Sequence, residues 1–154
     1  MDPIEEGRRN WVAHDSGPVE QVTAATALTR GQQVATRRMA PVLAAHDLTF
    51  AQLEVLVALA ECDGPLGMGE LGASIGLHPT TAARTVARLE RARHVERVDD
   101  EDDRRVTRVR LNERGRAVVR AALAGLREVR FGLDGWSTAD VRRFAGLADL
   151  VRGQ

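Results

Sequence analysis

The sequence has very little of several residue types that mark particular protein classes. Cys62 is the only cysteine in 154 residues, which excludes an intramolecular disulfide and fits a reducing compartment. No stretch approaches the roughly 20 consecutive apolar residues of a membrane span, and the N-terminus lacks the apolar segment of a secretory signal. We therefore predict a cytoplasmic protein with no membrane partner.

Aromatic residues are also scarce, at 3% of the chain, whereas hydrophobic residues make up 44%. This balance predicts one domain, residues 1–154, with a core of alanine, valine and leucine. Lysine is absent, so all 22 basic residues are arginine, and 22 acidic residues offset them. The net charge of zero is only a sum, and the distribution of the arginines decides whether nucleic acid is a partner.

Turn and capping residues divide the chain into six helices and two strands, a mostly α fold with a small antiparallel wing. The first helix is predicted from Pro18 to about Ala45, and Pro41 is expected to bend it or end it early. The other predicted elements are a helix after the Thr49–Gln52 capping box, a short helix Met68–Ile75, a helix from Pro79 to about Arg93, strands Val95–Asp99 and Val106–Leu111, a helix from Asn112 to about Leu133, and a final helix after the cap Ser137–Asp140.

Apolar residues recur at helical spacing in three of these helices. The stripes are Leu53, Leu56, Val57 and Ala60; Val119, Leu123, Leu126 and Val129; and Val141, Phe144, Leu147 and Val151. The last two stripes hold more apolar surface than one small lobe can bury. We therefore expect them to pack against a second copy of the chain.

The helix after Pro79 has two contrasting faces. Ala82, Val86 and Leu89 lie on one side, and Thr81, Arg84, Arg88 and Arg91 lie roughly opposite. A basic helix by itself is most often a solvated surface. Here a short helix and a tight turn precede it and a two-stranded wing follows, which is typical of a recognition helix in the DNA major groove.

The predicted wing also carries arginines. Its tip ends in Asp103-Arg104-Arg105, and Arg108 and Arg110 on the second strand are expected to face outward. A tip arginine of this kind can enter the narrow minor groove, where the negative potential favours a guanidinium group. Asp103 would hold that arginine in position through a bidentate pair.

Together these residues resemble the MarR family of bacterial regulators. The matching residues are Leu48-Thr49, Gln52, Leu56, Glu70-Leu71, Thr80–Glu90, the wing pattern Val95-x-Arg97-x-x-Asp100-x-x-Asp103-Arg104-Arg105, Val109-Arg110-Leu111 and Gly115. One departure is Arg93-His94 in place of the usual Gly-Leu. Because an arginine in the left-handed conformation costs about 1 kcal/mol, we expect a differently built turn there. Asn112 replaces the usual threonine but is an equally good helix cap.

The resemblance implies a winged helix-turn-helix lobe at residues 48–111 and dimerisation helices at residues 17–46 and 112–154. It further implies a homodimer that binds a pseudo-palindromic site in double-stranded DNA, acts as a repressor and is released by a small-molecule effector. The residues assigned to DNA binding are His78, Pro79, Thr80, Thr81, Arg84, Arg88, Asp103, Arg104, Arg105 and Arg108.

A tryptophan ahead of the first long helix is similar to the urate-responsive branch of that family. Trp11 matches the tryptophan of that branch, Glu54 stands where the branch has aspartate, and Arg97 matches one of its two arginines. The other arginine position is occupied by Thr85. The implied effector is a small aromatic or anionic molecule stacked on the indole and paired with Arg97. The alternative is that Trp11 packs in the dimer interface and that Arg97 pairs with Asp99 or Asp100.

Other signals are weaker. Gly67-Met-Gly-Glu-Leu-Gly72 has the spelling of a dinucleotide-binding loop, but no βαβ unit surrounds it. The four histidines lack metal-ligand spacing, so no metal or other cofactor is expected, and Cys62 is expected to be buried or unreactive. No catalytic constellation is present, and we predict that the protein is not an enzyme. The remaining alternative is a winged-helix protein-interaction module without specific DNA binding, which predicts a neutral outer face on the helix after Pro79.

Overall fold

The computed structural model describes Glu6, Arg9, residues 19–99 and residues 107–152. Val151 and Arg152 are described by their backbone only. Within 19–99 and 107–152 the chain forms six α-helices, a one-turn 3₁₀ helix and three short strands. They are α1 (Val19–Ala44), α2 (Phe50–Glu61), β1 (Leu66–Gly67), α3 (Met68–Ile75), α4 (Pro79–Arg91), β2 (Val95–Asp99), β3 (Thr107–Leu111), α5 (Glu113–Glu128), the 3₁₀ helix (Arg130–Gly132) and α6 (Thr138–Arg152).

The described residues fall into two compact units. The first, Met39–Glu128, holds the helix-turn-helix and the sheet, and we call it the wing unit. The second, the terminal unit, consists of the described residues up to Arg38 together with those from Val129 onward. The predicted lobe at residues 48–111 lies inside the wing unit.

Helix α1 does not end early at Pro41, one of the two effects expected of this proline, and its end agrees with the predicted end at about Ala45. It continues to Ala44, and the N–H of Ala45 donates to the carbonyl of Pro41 at 3.2 Å. Proline removes only its own backbone donor, and the residues after it still form helical hydrogen bonds. The proline is therefore accommodated in the last turn of the helix.

The core of the wing unit surrounds α2. This helix begins with the predicted capping box: the N–H of Gln52 donates to Thr49 Oγ1 at 3.3 Å, and the N–H of Thr49 donates to Gln52 Oε1 at 2.8 Å. The predicted stripe is only partly right, because Leu53 and Leu56 are buried whereas Val57 is half-buried and Ala60 is exposed. Helix α2 packs against α3, α4, α5 and β3, so it is enclosed on more than one side. For that reason its buried residues also include Val55 and Leu59.

The sheet has three antiparallel strands in the order β1-β3-β2, rather than the two predicted. Strand β1 pairs Leu66 with Val109 and Gly67 with Arg108. Two residues are too few to show a period of two, and the glycines and the proline around them predicted only a turn. The expected pairing of β2 with β3 is confirmed, with Arg97 opposite Val109.

Helix α5 begins at the predicted cap, since Asn112 Oδ1 accepts the N–H of Gly115 at 2.9 Å. It ends at Glu128, five residues before the predicted end at Leu133, and the 3₁₀ helix follows. Two consecutive residues there, Arg130 and Phe131, have positive φ angles of 48° and 53°, which break the α-helical path.

Helix α6 begins with a predicted cap that is also confirmed. The hydroxyl of Ser137 accepts the N–H of Asp140 at 3.2 Å, and the carboxylate of Asp140 accepts the N–H of Ser137 at 3.2 Å. Trp136, just before the helix, meets the Phe144 ring edge to face at 5.4 Å between centroids. In the part of the chain that the structure describes, no helix is both long enough and apolar enough to cross a bilayer.

Candidate nucleic-acid interface

Helix α4 has the two faces that the sequence predicted. Ala82, Val86 and Leu89 are completely buried. The opposite arc is exposed and consists of Thr81, Arg84, Arg88 and Arg91. The buried face fixes the helix on the wing unit, so the arginine arc is held toward solvent on a rigid support.

The turn between α3 and α4 is tight and depends on two glycines. Gly76 ends α3 in the left-handed conformation, with φ of 65°, which favours glycine. Gly72 approaches the next residues closely: the N–H of Leu77 donates to its carbonyl at 2.9 Å, and a Cβ on Gly72 would lie 2.8 Å from the carbonyl oxygen of Leu77. These glycines serve the helix-turn-helix, in which α3 precedes α4, and no βαβ unit is present within residues 19–99 and 107–152.

His78 caps the N-terminus of α4. Its Nδ1 atom accepts the backbone N–H of Thr80 at 3.3 Å, and Pro79 occupies the first helical position. His78, Pro79 and Thr80 are all exposed. The first turn therefore presents side chains and backbone donors where a recognition helix usually meets DNA.

The arginines of the arc and those of the sheet differ in their partners. Arg91 Nε donates to the carbonyl of Ala87 at 3.3 Å. Among the described residues, no acidic side chain pairs with Arg84 or Arg88. With respect to the described residues, these two exposed guanidinium groups can bind an outside anion without first breaking an ion pair.

The sheet arginines are engaged in ion pairs. Arg97 Nε donates to Glu90 Oε2 at 3.0 Å, and Arg110 Nε donates to Glu96 Oε1 at 2.7 Å. The first pair joins β2 to α4, and the second joins β3 to β2. The sequence-based alternative partners of Arg97 were Asp99 and Asp100, and the partner in the structure is Glu90. Glu90 matched the family pattern only as the residue after Leu89, and this match did not indicate that it pairs with Arg97.

Arg108 does not face outward as expected. It is half-buried, and its Nη1 atom donates to Glu70 Oε2 at 2.9 Å and to the carbonyl of Pro65 at 3.3 Å. The Glu70 carboxylate also accepts the N–H of Gly67 at 2.8 Å. Strand β1, which the sequence did not reveal, brings Arg108 beside α3. The assignment of Arg108 to DNA binding stays a prediction.

The C-terminal turn of α4 holds an arginine where a glycine is usual. Helix α4 ends at Arg91, and Arg93 follows with a φ of 59°. The N–H of Arg93 donates to the carbonyl of Glu90 at 2.9 Å, and the N–H of His94 donates to the carbonyl of Leu89 at 2.9 Å. These two bonds form a Schellman motif. The expectation of a differently built turn was wrong, because the hydrogen bonds hold Arg93 in the left-handed conformation.

Several predicted residues lie outside the described part of the chain. They are Trp11, Asp103, Arg104 and Arg105. Of the predicted effector residues, Arg97 is paired as described above, and Glu54 is half-buried on α2, where burial raises the pKa of its carboxyl. Thr85 is buried, and its hydroxyl donates to the carbonyl of Thr81 at 3.0 Å.

No cluster of three potential metal ligands occurs among the described residues. Cys62, the residue after α2, is a free, exposed cysteine, so of the two expectations for it, burial is wrong and low reactivity stays a prediction. The helix ends at Glu61, and Glu61 and the three residues after it are all exposed.

Comparison with known proteins supports this geometry. The sequence profile of the MarR family matches residues 46–106. Sco5413, a MarR family transcriptional regulator from Streptomyces coelicolor, is 29% identical, with a TM-score of 0.80 over 88% of this chain and 94% of that chain. A probable transcriptional regulator from Pseudomonas aeruginosa is 30% identical, with a TM-score of 0.76 over 82% of this chain and 95% of that chain.

A cysteine-to-serine mutant of MarR from Escherichia coli, solved in complex with operator DNA, shares the fold at 22% identity. Its TM-score is 0.76 over 86% of this chain and 95% of that chain. No curated protein matches the sequence. The family profile covers the helix-turn-helix, and the solved relatives extend the similarity over most of the chain. The chain belongs to the MarR family of winged-helix transcriptional regulators.

Proposed function

We propose that this regulator is a cytoplasmic homodimer that binds a pseudo-palindromic DNA site through α4 and represses transcription until a small molecule releases it. The observation that carries the proposal is the exposed arc of α4, on which Arg84 and Arg88 have no acidic partner among the described residues. An arginine can donate two parallel hydrogen bonds to the O6 and N7 atoms of guanine, so this arc is suited to reading base edges in the major groove.

The competing hypothesis is a winged-helix protein-interaction module. It predicts a neutral outer face on α4, whereas the exposed arc contains Arg84, Arg88 and Arg91. It also gives no reason for an N-terminal turn that leaves His78 and Thr80 open to solvent. DNA binding accounts for both features.

Dimer formation is proposed from the terminal unit alone. The expectation that the stripe on α5 packs against a second copy is wrong for Val119 and Leu126, because both are already buried within one chain. The exposed apolar side chains on α6 include Phe144, Leu147 and Leu150, with exposed fractions of 41%, 63% and 69%. Trp136, Phe144 and Leu147 also line an open groove of about 430 Å³. Such a contiguous apolar patch is unusual on a monomer, and a symmetry-related copy would cover it.

The effector is proposed to act on Arg97. A ligand anion that competes with Glu90 for this guanidinium would break the ion pair that joins β2 to α4. The wing strand and the recognition helix would then lose one link, and the spacing of the two recognition helices in a dimer would change. Small aromatic acids, including urate, are the ligands that the sequence resemblance suggests.

The test is selection from a library of random DNA duplexes with the full-length protein at fixed salt. We expect enrichment of a sequence with two inverted half-sites about one helical turn apart. The double variant Arg84→Ala/Arg88→Ala should enrich nothing, and a matched variant of an exposed arginine on α5, Arg120→Ala, should enrich the same sequence as the wild type. Failure of the wild type to enrich any sequence would favour the protein-interaction module.

A further inference from the structure

One buried side chain in the wing unit lacks a hydrogen-bond partner. His94 exposes only 6% of its surface, and among the described residues its Nδ1 is the one buried side-chain nitrogen or oxygen without a partner. Buried polar groups are nearly always paired, because leaving one unpaired costs free energy. An apolar leucine would fill such a position without this cost, so the imidazole requires an explanation.

His94 lies at the joint between three elements. Its N–H closes the C-terminal turn of α4, and its carbonyl accepts the N–H of Asn112, the cap of α5, at 3.3 Å. Asn112 Nδ2 also donates to the carbonyl of Arg93 at 3.0 Å. Gly115 packs directly on the carbonyl of His94, where any Cβ would overlap it. Because β2 starts at the next residue, a shift of His94 would reach α4, α5 and the sheet together.

Two charged groups from other elements act electrostatically on the ring. Arg114 lies on α5, and Asp47 lies in the turn after α1. Burial is the main cause that lowers the pKa of His94, Arg114 lowers that pKa further, and Asp47 acts in the opposite direction. The neutral imidazole is therefore the form that fits this joint at neutral pH.

We propose that His94 makes this joint sensitive to protons, so that acidification loosens the recognition helix from the wing and α5 and weakens DNA binding. This inference rests on the proposed function and adds protonation as a means of regulating the same DNA-binding site. Protonation turns Nδ1 into a donor with no acceptor in place and puts a positive charge beside Arg114. The ring gains a favourable state only by moving toward water or toward Asp47, and either movement disturbs the hydrogen bonds to Asn112.

The lowered pKa of His94 determines how the stability of the protein changes with pH. A lowered folded-state pKa means that the unfolded chain binds the proton more readily than the folded protein. The contribution of the neutral ring to stability is present in full above the ordinary histidine pKa of 6.5. It is lost as the pH falls through the lower pKa of the folded protein.

The test compares the wild type with the variants His94→Leu and His94→Gln. Leucine supplies an apolar side chain at this position, and glutamine supplies a polar side chain that does not titrate. Urea midpoints and affinity for the selected DNA duplex are measured at about pH 7.5 and about pH 5.5, on either side of the ordinary histidine pKa. We expect the wild type to lose stability and affinity on acidification to a greater extent than both variants. His78, at the DNA-facing cap of α4, is present in all three proteins, so its contribution cancels from the comparison.

A readout without any substitution is the titration of the His94 ring by NMR in the wild-type protein, which should have its midpoint below the ordinary histidine pKa of 6.5. Equal pH dependence of unfolding in the three proteins, or an ordinary His94 titration, would overturn the role of His94 and leave the proposed function intact. Absence of specific DNA binding at both pH values would instead overturn the proposed function, while the unfolding data would still report on the joint.

Discussion

Arg93 is one of four described non-glycine residues with a positive φ, and it lies in the turn that ends α4. Its side chain is exposed, so nothing in the core requires an arginine there. The left-handed conformation costs an L-residue about 1 kcal/mol relative to glycine. The Schellman hydrogen bonds of this turn offset that cost, and they use only backbone atoms.

We expect Arg93→Gly to raise the free energy of unfolding by about 0.5–1 kcal/mol, because glycine adopts this conformation without strain. Urea denaturation at neutral pH measures the change. The matched control is Arg91→Gly, at the last residue of α4, which should lower stability by about 1 kcal/mol because its conformation is helical. A loss of stability in Arg93→Gly would contradict the strain assigned to this turn.

The half-buried carboxyl of Glu54 makes the stability of the protein depend on pH. Burial raises the pKa of its carboxyl from the ordinary value of 4.5, so the ionised form is disfavoured in the folded protein. A group whose pKa is raised by folding stabilises the folded protein at pH values below its pKa in the unfolded chain. This stabilisation is lost as the pH rises through the pKa of the group in the folded protein. Glu54→Gln should therefore stabilise the protein near neutral pH, and the gain should shrink toward about pH 4.

Thermal unfolding of Glu54→Gln across this pH range, beside the exposed control Glu61→Gln, measures the effect. The control should show no comparable gain. A variant that is less stable than the wild type at neutral pH would indicate that the Glu54 carboxylate has a partner in the folded state that outweighs its burial.

At the scale of elements, helix starts were predictable, and helix ends were predictable where a local signal such as Gly76 marks them. The capping boxes at Thr49 and Ser137 and the cap at Asn112 are local signals, because the cap and the groups it satisfies lie within three residues. Helix α1 ends at Ala44, close to the predicted end at about Ala45, whereas α5 ends at Glu128, before the predicted end at about Leu133. Two non-glycine residues with positive φ, Arg130 and Phe131, follow α5, and the sequence pattern gave no sign of them.

The same distinction applies to the candidate site. The buried and exposed faces of α4 follow from a period of 3.6 residues, so Arg84 and Arg88 were correctly placed on the outer arc. The environment of Arg108 was not predictable, because it depends on the pairing of β1 with β3 and on Glu70 from α3. The unpaired Nδ1 of His94 likewise arises where several elements meet.

The Glu90–Arg97 ion pair is the element-scale link on which the effector proposal depends. Both side chains are well exposed, so the pair contributes at most about 1 kcal/mol to stability. Arg97→Ala should retain DNA binding and lose release by urate or phenolic acids. Glu90→Gln frees the guanidinium from its competitor, and it should strengthen the effector response by up to about fivefold.

Release of a labelled DNA duplex, followed by fluorescence anisotropy during ligand titration, measures these effects. Quenching of tryptophan fluorescence in a Trp136→Phe background reports on Trp11, the other tryptophan of the chain. An Arg97→Ala variant that still releases DNA at wild-type ligand concentrations would remove Arg97 from the effector site.

At the scale of the whole molecule, the apolar face of α6 predicts self-association. We expect Leu147→Asp/Leu150→Asp to convert a dimer into a monomer in sedimentation equilibrium, because two carboxylates would be buried without partners in the interface. Ala145→Asp, an exposed position on another side of α6, should leave the dimer intact. A double variant that stays dimeric with unchanged DNA affinity would show that this face is not the interface.

The central claim is that the outer arc of α4 reads DNA sequence. Its most direct measurement is the affinity of Arg84→Ala for the selected duplex and for a random duplex at one fixed salt concentration. We predict a loss of about 1–3 kcal/mol, roughly 5- to 150-fold, on the selected duplex, with little loss on the random one. Arg105→Ala, predicted to contact DNA by shape and charge, should instead weaken both duplexes similarly. Equal weakening of both duplexes by Arg84→Ala would contradict the assignment of α4 as the recognition helix.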